Sequence, residues 1–203
     1  LVALDPELHA GQLFSASHGA ENAGLWRFLR DGPFCDADAH KRHLQDLCAS
    51  GQFSGFAIVD MSSSALLGQL ALMKASETHK TVEIGYVLFL PNLQRTRAGT
   101  EALYLLMRYV FERQGVRRCE WRCDSGNAKS ERAALRLGFQ REGLLRQHMM
   151  VKGRNRDTVI LSVLDVEWQQ SKAAIEAWLA DENFDESGRA RQSLFDLQAA
   201  CAR

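Results

Sequence analysis

Long hydrophobic runs are missing from this sequence. Nowhere in its 203 residues is there an apolar stretch of the roughly 18 residues that a membrane helix needs, so we expect no membrane partner. The first ten residues, LVALDPELHA, also lack the basic-then-apolar pattern of a secretory signal. With 46% hydrophobic and 25% charged residues, the composition favours a globular cytoplasmic protein.

Paired cysteines are missing too. The five cysteines are scattered, and no two of them form a C-x-x-C pair. Zinc ligands usually occur in such pairs, so we expect no metal and interpret the cysteines as reduced thiols. Cys119 and Cys123 share one face of a predicted strand with Trp121, which favours packing in the core. All four tryptophans are interpreted as packing residues: Trp26, Trp121, Trp168 and Trp178.

A net charge is absent as well, but the balance conceals an asymmetry. Residues 95–156 hold 15 Lys/Arg against 6 Asp/Glu, whereas the rest of the chain holds 10 against 19. Such a separation favours a basic surface for an anionic ligand. No nucleic acid is expected, because the sequence has no helix-turn-helix pattern and no basic stripe with interleaved aromatic residues.

The order of predicted elements indicates an α/β (α+β) fold, with a mixed, mostly antiparallel sheet and helices on both faces. Helical patterns at 6–18, 20–30 and 37–50 precede three strand patterns, SGFAIVD, ALLGQLALMKAS and TVEIGYVLFL. A long helix from about Ala98 to Gln114 follows, then strand, helix, two strands and helix. We expect one domain over residues 1–180 and a tail over 181–203 that could form a short helix through Leu194, Phe195 and Leu197.

Two histidines occupy one face of the third predicted helix. His40 and His43 are three residues apart there, and no third ligand is nearby in the sequence. We interpret both as surface or partner histidines rather than metal ligands.

The segment EIGYVLFLPNLQRTRAGTEA, residues 83–102, joins a buried strand to a helix through a short turn with two arginines and no acidic residue. The first N–H groups of a helix have no intrahelical partner and lie at the positive end of its dipole. The segment therefore predicts an anion site, most often one for phosphate.

Together with NAKSERAALRLGF, residues 127–139, this segment resembles the two core motifs of the GNAT N-acetyltransferases, particularly the RimJ/RimL-like branch. The first is similar to the strand, pyrophosphate loop and helix of motif A, the second to the N-x-x-S…G-F helix of motif B. The likeness extends from about Gly55 to Trp168. It implies transfer of an acetyl group from acetyl-CoA to a primary amine, on a protein N-terminus or a small molecule, without a covalent enzyme intermediate.

Two positions depart from the family pattern. Arg97 stands where the first loop glycine usually stands, and a positive φ would strain an arginine there. We favour the alternative in which Thr96 caps the helix and Arg97 lies in its first turn. Ala134 stands where many relatives carry a tyrosine that protonates the leaving thiolate, so that role is vacant or moved.

The resemblance implies three groups of coenzyme contacts. The pantetheine arm would add itself like an extra strand to the edge of the third strand. Backbone amides of the turn would hold the pyrophosphate, supplemented by arginine side chains, and Asn127 would hold the pantetheine or simply cap its helix. The predicted residues are Val87, Leu88, Phe89, Gln94, Arg95, Thr96, Arg97, Ala98, Gly99, Thr100 and Asn127.

Two residues are candidates for the chemistry. Glu83 is the first candidate for the general base, acting through water, and an exposed strand glutamate is the alternative interpretation. Ser130, at the N-x-x-S position, is the candidate proton donor to the departing sulfur; a plain surface serine, with water in its role, stays open. Tyr86 and His148 are weaker candidates for the acceptor side.

The turn KGRNRDT, residues 152–158, is dense in cations and in this family borders the acceptor pocket. Arg154 and Arg156 could bind a carboxylate of the acceptor. We favour the other interpretation, a solvated hairpin tip with Asn155 serving the turn.

The loss of the loop glycine and of the tyrosine keeps a second function open, a CoA-binding regulatory or partner module without catalysis. The sequence does not choose an acceptor. It also leaves the assembly undetermined, with a homodimer among the options.

Overall fold

The computed structural model describes residues 1–201 and confirms the predicted fold class. Its strands are β1 (Val2–Ala3), β2 (Phe53–Val59), β3 (Leu66–Ser76), β4 (Thr81–Phe89), β5 (Arg118–Asp124), β6 (Gln140–Val151) and β7 (Arg154–Leu164). Its α-helices are α1 (Pro6–Ser17), α2 (Ala37–Ala49), α3 (Arg97–Arg108), α4 (Ala128–Arg136), α5 (Asp165–Leu179) and α6 (Leu194–Cys201). Short 3₁₀ helices cover Ala20–Trp26 and Asp181–Asn183, and a π-helical turn, Tyr109–Arg113, extends α3.

The strands form one seven-stranded sheet in the order β1-β2-β3-β4-β5-β7-β6. All neighbouring strands are antiparallel except β4 and β5, which are parallel. The parallel pair is connected through α3, as a crossover between parallel strands requires. This arrangement brings the carboxyl ends of β4 and β5 to the same edge of the sheet.

Helices cover both faces of the sheet because successive strand residues point to opposite sides. On one face, Ala71 and Met73 pack with residues of α1 and α2 such as Leu13 and Leu44. On the other face the larger cluster contains the apolar side of α3, together with residues of α4 and α5. The buried members of that side of α3 and its extension are Ala102, Leu103, Leu106, Met107 and Val110. The four tryptophans are buried as predicted, and so are Cys119 and Cys123.

The segment predicted as a helix over residues 20–30 is a 3₁₀ helix that ends at Trp26. The Trp26 indole N–H donates to the carbonyl of Ser17 at 2.7 Å, which ties the chain back onto the end of α1. Gly24 within the segment lowers its helix propensity further.

The prediction that His40 is a surface residue is wrong. Its side chain is 1% exposed and stacks on Phe34, with ring centroids 4.8 Å apart and an interplanar angle of 10°. The segment between α1 and α2 folds over this face of α2, and the pattern of α2 alone gave no sign of that cover. Burial lowers the pKa of His40 to about 4, so its imidazole is neutral in the folded protein.

The C-terminal segment packs on the rest of the chain. Phe184 meets Trp178 edge to face at 5.2 Å, and Leu194 at the start of α6 is buried in the main core. Residues 202 and 203 of the predicted tail lie outside the described residues. Among residues 1–201, none of the helices combines the length and apolarity that a bilayer crossing requires.

Candidate active site

The turn after β4 ends in a capped helix, as predicted. Thr96 has extended backbone angles, and its hydroxyl accepts a hydrogen bond from the Gly99 N–H at 3.1 Å and donates to the Leu93 carbonyl at 2.7 Å. Arg97 therefore lies at the first helical position and carries no positive φ. The left-handed residue of the turn is Arg95 instead, with φ of 62°.

Several N–H groups of this turn are left without an acceptor. Among residues 1–201, the amides of Gln94, Arg95, Arg97 and Ala98 have no hydrogen-bond partner, whereas that of Thr96 donates to Leu93. Gln94, Arg95 and Arg97 are exposed, so their amides stay accessible from solvent. Unpaired amides at a helix N-terminus favour an anion there.

Gly99 allows the chain to pass close to itself at this point. A Cβ atom on Gly99 would lie 2.8 Å from the Leu93 carbonyl oxygen and 3.3 Å from the Phe89 ring. Since real Cβ atoms do not approach a backbone oxygen so closely, any larger residue would push the turn away from β4. The glycine thus fixes where the free amides stand relative to the end of the strand.

Next to this turn the sheet opens between its two parallel strands. The pairing of β4 with β5 runs from Thr81↔Arg118 to Ile84↔Trp121 and stops there. Beyond that point β4 continues to pair with β3, and β5 with β7. The edge of β4 from Gly85 to Phe89 is therefore not paired with β5. The Gln94 side-chain amide donates to the Phe89 carbonyl at 3.0 Å, and an added extended chain would replace this contact.

A β-bulge in β4 accompanies the opening. Gln69 pairs with Leu88 and Ala71 with Gly85, so Leu70 of β3 opposes both Tyr86 and Val87 of β4. Tyr86 has φ of 49°, the left-handed conformation that such a bulge permits. A bulge bends its strand, which explains why β4 leaves β5 at this level.

The second helix N-terminus faces the same edge of the sheet. Asn127 follows β5 and caps α4, because its side-chain oxygen accepts a hydrogen bond from the Ser130 N–H at 3.2 Å. The capping interpretation of Asn127 is confirmed. Two helix N-termini, those of α3 and α4, thus follow the carboxyl ends of the two strands that separate.

Glu83 is buried, with a relative exposure of 6%, so the alternative of an exposed strand glutamate is wrong. Its Oε2 lies 2.7 Å from the Lys74 ammonium nitrogen and 3.5 Å from Nε of Arg122. Burial of a carboxylate is costly unless it is paired, and these two cations provide the pairing.

Glu83 opens onto a cleft with a volume of about 100 Å³. Tyr86 and His148, both weaker sequence candidates, line it as well. The Tyr86 hydroxyl donates to the carboxylate of Asp31 at 2.8 Å, and burial with this contact raises the Tyr86 pKa to about 12. The full lining is Phe28, Arg30, Met73, Lys74, Glu83, Gly85, Tyr86, Arg122, His148, Met149, Arg156 and Thr158.

Ser130 is held by the core beside the opening. Its hydroxyl oxygen accepts a hydrogen bond from the indole N–H of Trp121 at 2.9 Å. Cys123 is next to it, and burial raises the pKa of that thiol to about 11. Ala134, at the usual tyrosine position, is fully buried and leaves no polar group on α4 there.

Arg97 points its guanidinium toward the C-terminal segment. It forms an ion pair with Asp181 at 2.7 Å, donates to the carbonyl of Leu179 and lies over the Phe184 ring at 4.7 Å. Arg95 has no ion pair among residues 1–201. Of the two arginines predicted to supplement the phosphate site, Arg97 is therefore already engaged elsewhere.

Lys74, Arg122 and Asp31 were not predicted from the sequence. Lys74 follows Met73, the register partner of Glu83, and in a regular strand it would point to the opposite face. Its left-handed φ of 50°, at a register shift of β3, is a departure that the strand pattern does not predict. Asp31 lies 55 residues before Tyr86, and no local pattern connects the two.

Known proteins share both the sequence and the fold. Residues 1–140 match the acetyltransferase (GNAT) domain family. The chain belongs to this family. The predictions of a GNAT resemblance and of an N-acetyltransferase are thereby confirmed.

Solved structures extend the likeness over nearly the whole chain. A GCN5-related N-acetyltransferase from Brucella melitensis is 40% identical with a TM-score of 0.92, covering 97% of this chain and 89% of its own. A probable acetyltransferase of the GNAT family from Chromobacterium violaceum is 45% identical with a TM-score of 0.79. The match covers 82% of this chain and 83% of that protein. YoaA, an N-acetyltransferase of Bacillus subtilis (strain 168), is 31% identical over 49% of this chain, a match that spans 55% of YoaA.

Proposed function

We propose that this protein transfers an acetyl group from acetyl-CoA to a primary amine by direct attack in a ternary complex. The observation that carries the proposal is the opening of the sheet between β4 and β5 directly beside a turn with free amides. An extended arm with a diphosphate at one end fits this combination better than other common ligands. The arm would follow a strand edge while the diphosphate meets a helix N-terminus.

The coenzyme contacts follow from this arrangement. The edge at Val87, Leu88 and Phe89 takes the pantetheine arm, and the pyrophosphate binds at the turn from Gln94 to Thr100, on those amides that have no partner among residues 1–201. Arg95, which has no ion pair within the described residues 1–201, supplies the cation of the turn. Asn127, whose oxygen caps α4, keeps its amide NH₂ available for the arm.

Glu83 acts on the acceptor. The amine attacks the thioester carbonyl only after losing a proton, and Glu83 removes that proton through a water molecule in the cleft. Attack forms the new C–N bond and a tetrahedral intermediate. Its nitrogen gives up a second proton to water, and its collapse breaks the C–S bond. The position of Glu83 supports this role, because its side chain lines the cleft that an acceptor amine would enter.

The departing thiolate needs a proton. Ser130 lies beside the opening. Its oxygen accepts from Trp121, so its own O–H, which also contacts the Cys123 thiol, is the group that donates. We assign Ser130 this role, with water as the source that restores its proton. Tyr86, whose pKa is raised to about 12, is the other hydroxyl at the cleft.

Release of free thiol from acetyl-CoA tests the proposal. Incubation with a panel of primary amines is expected to release CoA only when a suitable amine is present, with the acetylated amine found by mass spectrometry. A rise in melting temperature with acetyl-CoA, but no thiol release with any amine, would show a coenzyme-binding module and overturn the enzyme.

A further inference from the structure

The cleft at Glu83 has an excess of positive charge. Four cationic side chains line it, and Glu83 supplies the carboxylate of its lining. Lys74 is paired with Glu83, and Arg122 is paired mainly with Glu120 at 2.8 Å. The charge of these two cations is therefore used within the protein, whereas Arg30 and Arg156 have no ion pair among residues 1–201.

Arg156 is the more informative of the two because it is half-buried. Its Nε donates to the Thr158 hydroxyl at 3.1 Å, and its terminal nitrogens have no acceptor among residues 1–201. A guanidinium has five N–H donors and loses hydration when it is buried. Donors that find no acceptor in the protein therefore cost free energy that a bound ligand could offset. Burial accordingly lowers the pKa of Arg156.

Thr158 fixes the direction of this guanidinium. Its side chain is fully buried, and its hydroxyl contacts both Nε of Arg156 and Nδ1 of His148 at 3.0 Å. Arg156 lines the cleft, and with Nε held by Thr158 its terminal nitrogens are the donors that a ligand in the cleft can meet. Planar forks of this kind bind carboxylates and phosphates with two parallel hydrogen bonds.

The neighbouring arginine of the same strand behaves differently. Arg154 is exposed, donates to the Arg27 carbonyl at 2.9 Å and does not line the cleft. Residues two apart in a strand share a face, so sequence alone treated Arg154 and Arg156 as equivalent. The tertiary contacts distinguish them.

Arg30 adds a second cation at the mouth of the cleft. It is exposed and lies over the Tyr86 ring, 5.9 Å from its centroid. Arg30 and the neighbouring Asp31 form no ion pair with each other; the Asp31 carboxylate accepts from Tyr86 and lies 3.6 Å from His43.

We propose that the acceptor is an amine that also carries an oxyanion, a carboxylate or a phosphate, and that Arg156 binds this group while Glu83 receives the proton of the amine. The inference rests on the proposed function and names its substrate class. Polyamines are excluded as preferred acceptors, because a second ammonium group would meet Arg156 and Arg30 rather than a carboxylate.

Matched acceptor pairs test the proposal. One arm compares ω-amino acids and dipeptides with their uncharged amides, and a second arm uses the corresponding aminoalkyl phosphonates. For wild type, kcat/KM is expected to be at least about 10-fold higher for an anionic acceptor than for its neutral partner, as loss of a charge-assisted pair implies. The arm with the higher value identifies the oxyanion.

Variants connect the preference to one residue. Arg156→Gln is expected to remove most of the preference for anionic over neutral acceptors by raising KM for the anionic acceptor. Its affinity for acetyl-CoA should stay unchanged. Arg156→Lys should retain part of it, and the matched control Arg154→Gln should retain all of it. Melting temperatures establish that each variant is folded, and if Arg156→Gln does not fold, the comparison of Arg156→Lys with Arg154→Gln decides.

Two results would overturn the inference while the proposed function stands. One is equal or faster acetylation of the neutral amides or of spermidine, and the other is an undiminished preference in Arg156→Gln. If no amine of either series releases thiol, the proposed transfer itself fails, and this inference fails with it.

Discussion

The ammonium nitrogen of Lys74 lies 2.7 Å from the carboxylate of Glu83, across the β3–β4 pair. The lysine side chain is half exposed, whereas the side chain of Glu83, taken without its backbone, is 8% exposed. The pair therefore connects a buried acid to solvent. The ammonium group offsets the cost of burying the carboxylate and still allows water to reach it. A base that works through water needs such access to solvent.

Replacing Glu83 tests this role directly. Glu83→Gln keeps the shape of the side chain but removes the proton acceptor, so kcat should fall by about 100-fold or more. The dissociation constant for acetyl-CoA, measured by calorimetry, should change little. Glu77→Gln, which removes an exposed carboxylate from the β3–β4 turn, is the control and should retain full rate. A fully active Glu83→Gln enzyme would exclude Glu83 as the base.

Gly99 is expected to be essential for coenzyme binding. Gly99→Ala places a methyl group 2.8 Å from the Leu93 carbonyl, so the turn must move and the free amides lose their alignment. We expect at least about a 10-fold loss of acetyl-CoA affinity, with a destabilisation of about 1–3 kcal/mol by chemical denaturation. Gly11→Ala is the matched control, since a Cβ there meets nothing within 4 Å and alanine favours helix α1. Unchanged coenzyme affinity in Gly99→Ala would contradict the assignment of this turn.

The two arginines of the turn should differ. Arg97→Gln breaks the contacts with Asp181 and Phe184, so the C-terminal segment should exchange its amide hydrogens faster, with a stability loss of about 1 kcal/mol. Arg95→Gln should leave that exchange unchanged but weaken acetyl-CoA binding more than Arg97→Gln does. Asp181→Asn should reproduce the loosening without removing a cation from the turn. Equal effects of both arginine variants on coenzyme affinity would show that Arg97 leaves Asp181 to bind phosphate.

His40 predicts a pH dependence of stability. Its folded pKa of about 4 lies below the ordinary value of 6.5, so the unfolded chain takes up the proton first as pH falls. The free energy of unfolding should therefore be fully retained above pH 6.5. Below that it should decrease by up to about 1.4 kcal/mol per pH unit until pH 4.

The variant His40→Phe isolates this contribution. Denaturant titrations at pH 7 and pH 5 should show a smaller difference than in wild type, because the aromatic packing stays while the titrating group is gone. Part of the difference should remain, since burial also lowers the pKa of His18. The same pH difference in both proteins would assign the effect to other groups.

Local sequence patterns predicted most of the secondary structure. The alternation in β2 to β5, the apolar side of α3, the caps at Thr96 and Asn127 and the turn with free amides depend on residues close in sequence. Spacing and capping chemistry are enough to predict such features. The family motifs then indicated the coenzyme contacts.

The cleft was less predictable because its members come from distant segments. Asp31 and Arg30 belong to the loop before α2, Lys74 to β3, Arg122 to β5, and Arg156 to β7. A pair such as Asp31 and Tyr86 is formed by chain crossings that no local pattern encodes. His40 was misjudged for the same reason, since its cover comes from another segment.

By itself, the sequence determined the strands, the helices and the anion-binding turn, because each of these follows from the conformational preferences of neighbouring residues. The tertiary structure alone decided which charges are paired. It joined Arg97 to Asp181, left the fork of Arg156 open to the cleft and enclosed Glu83 between two cations. Ion pairing depends on distances of a few ångströms between remote side chains, and only the packed fold sets those distances.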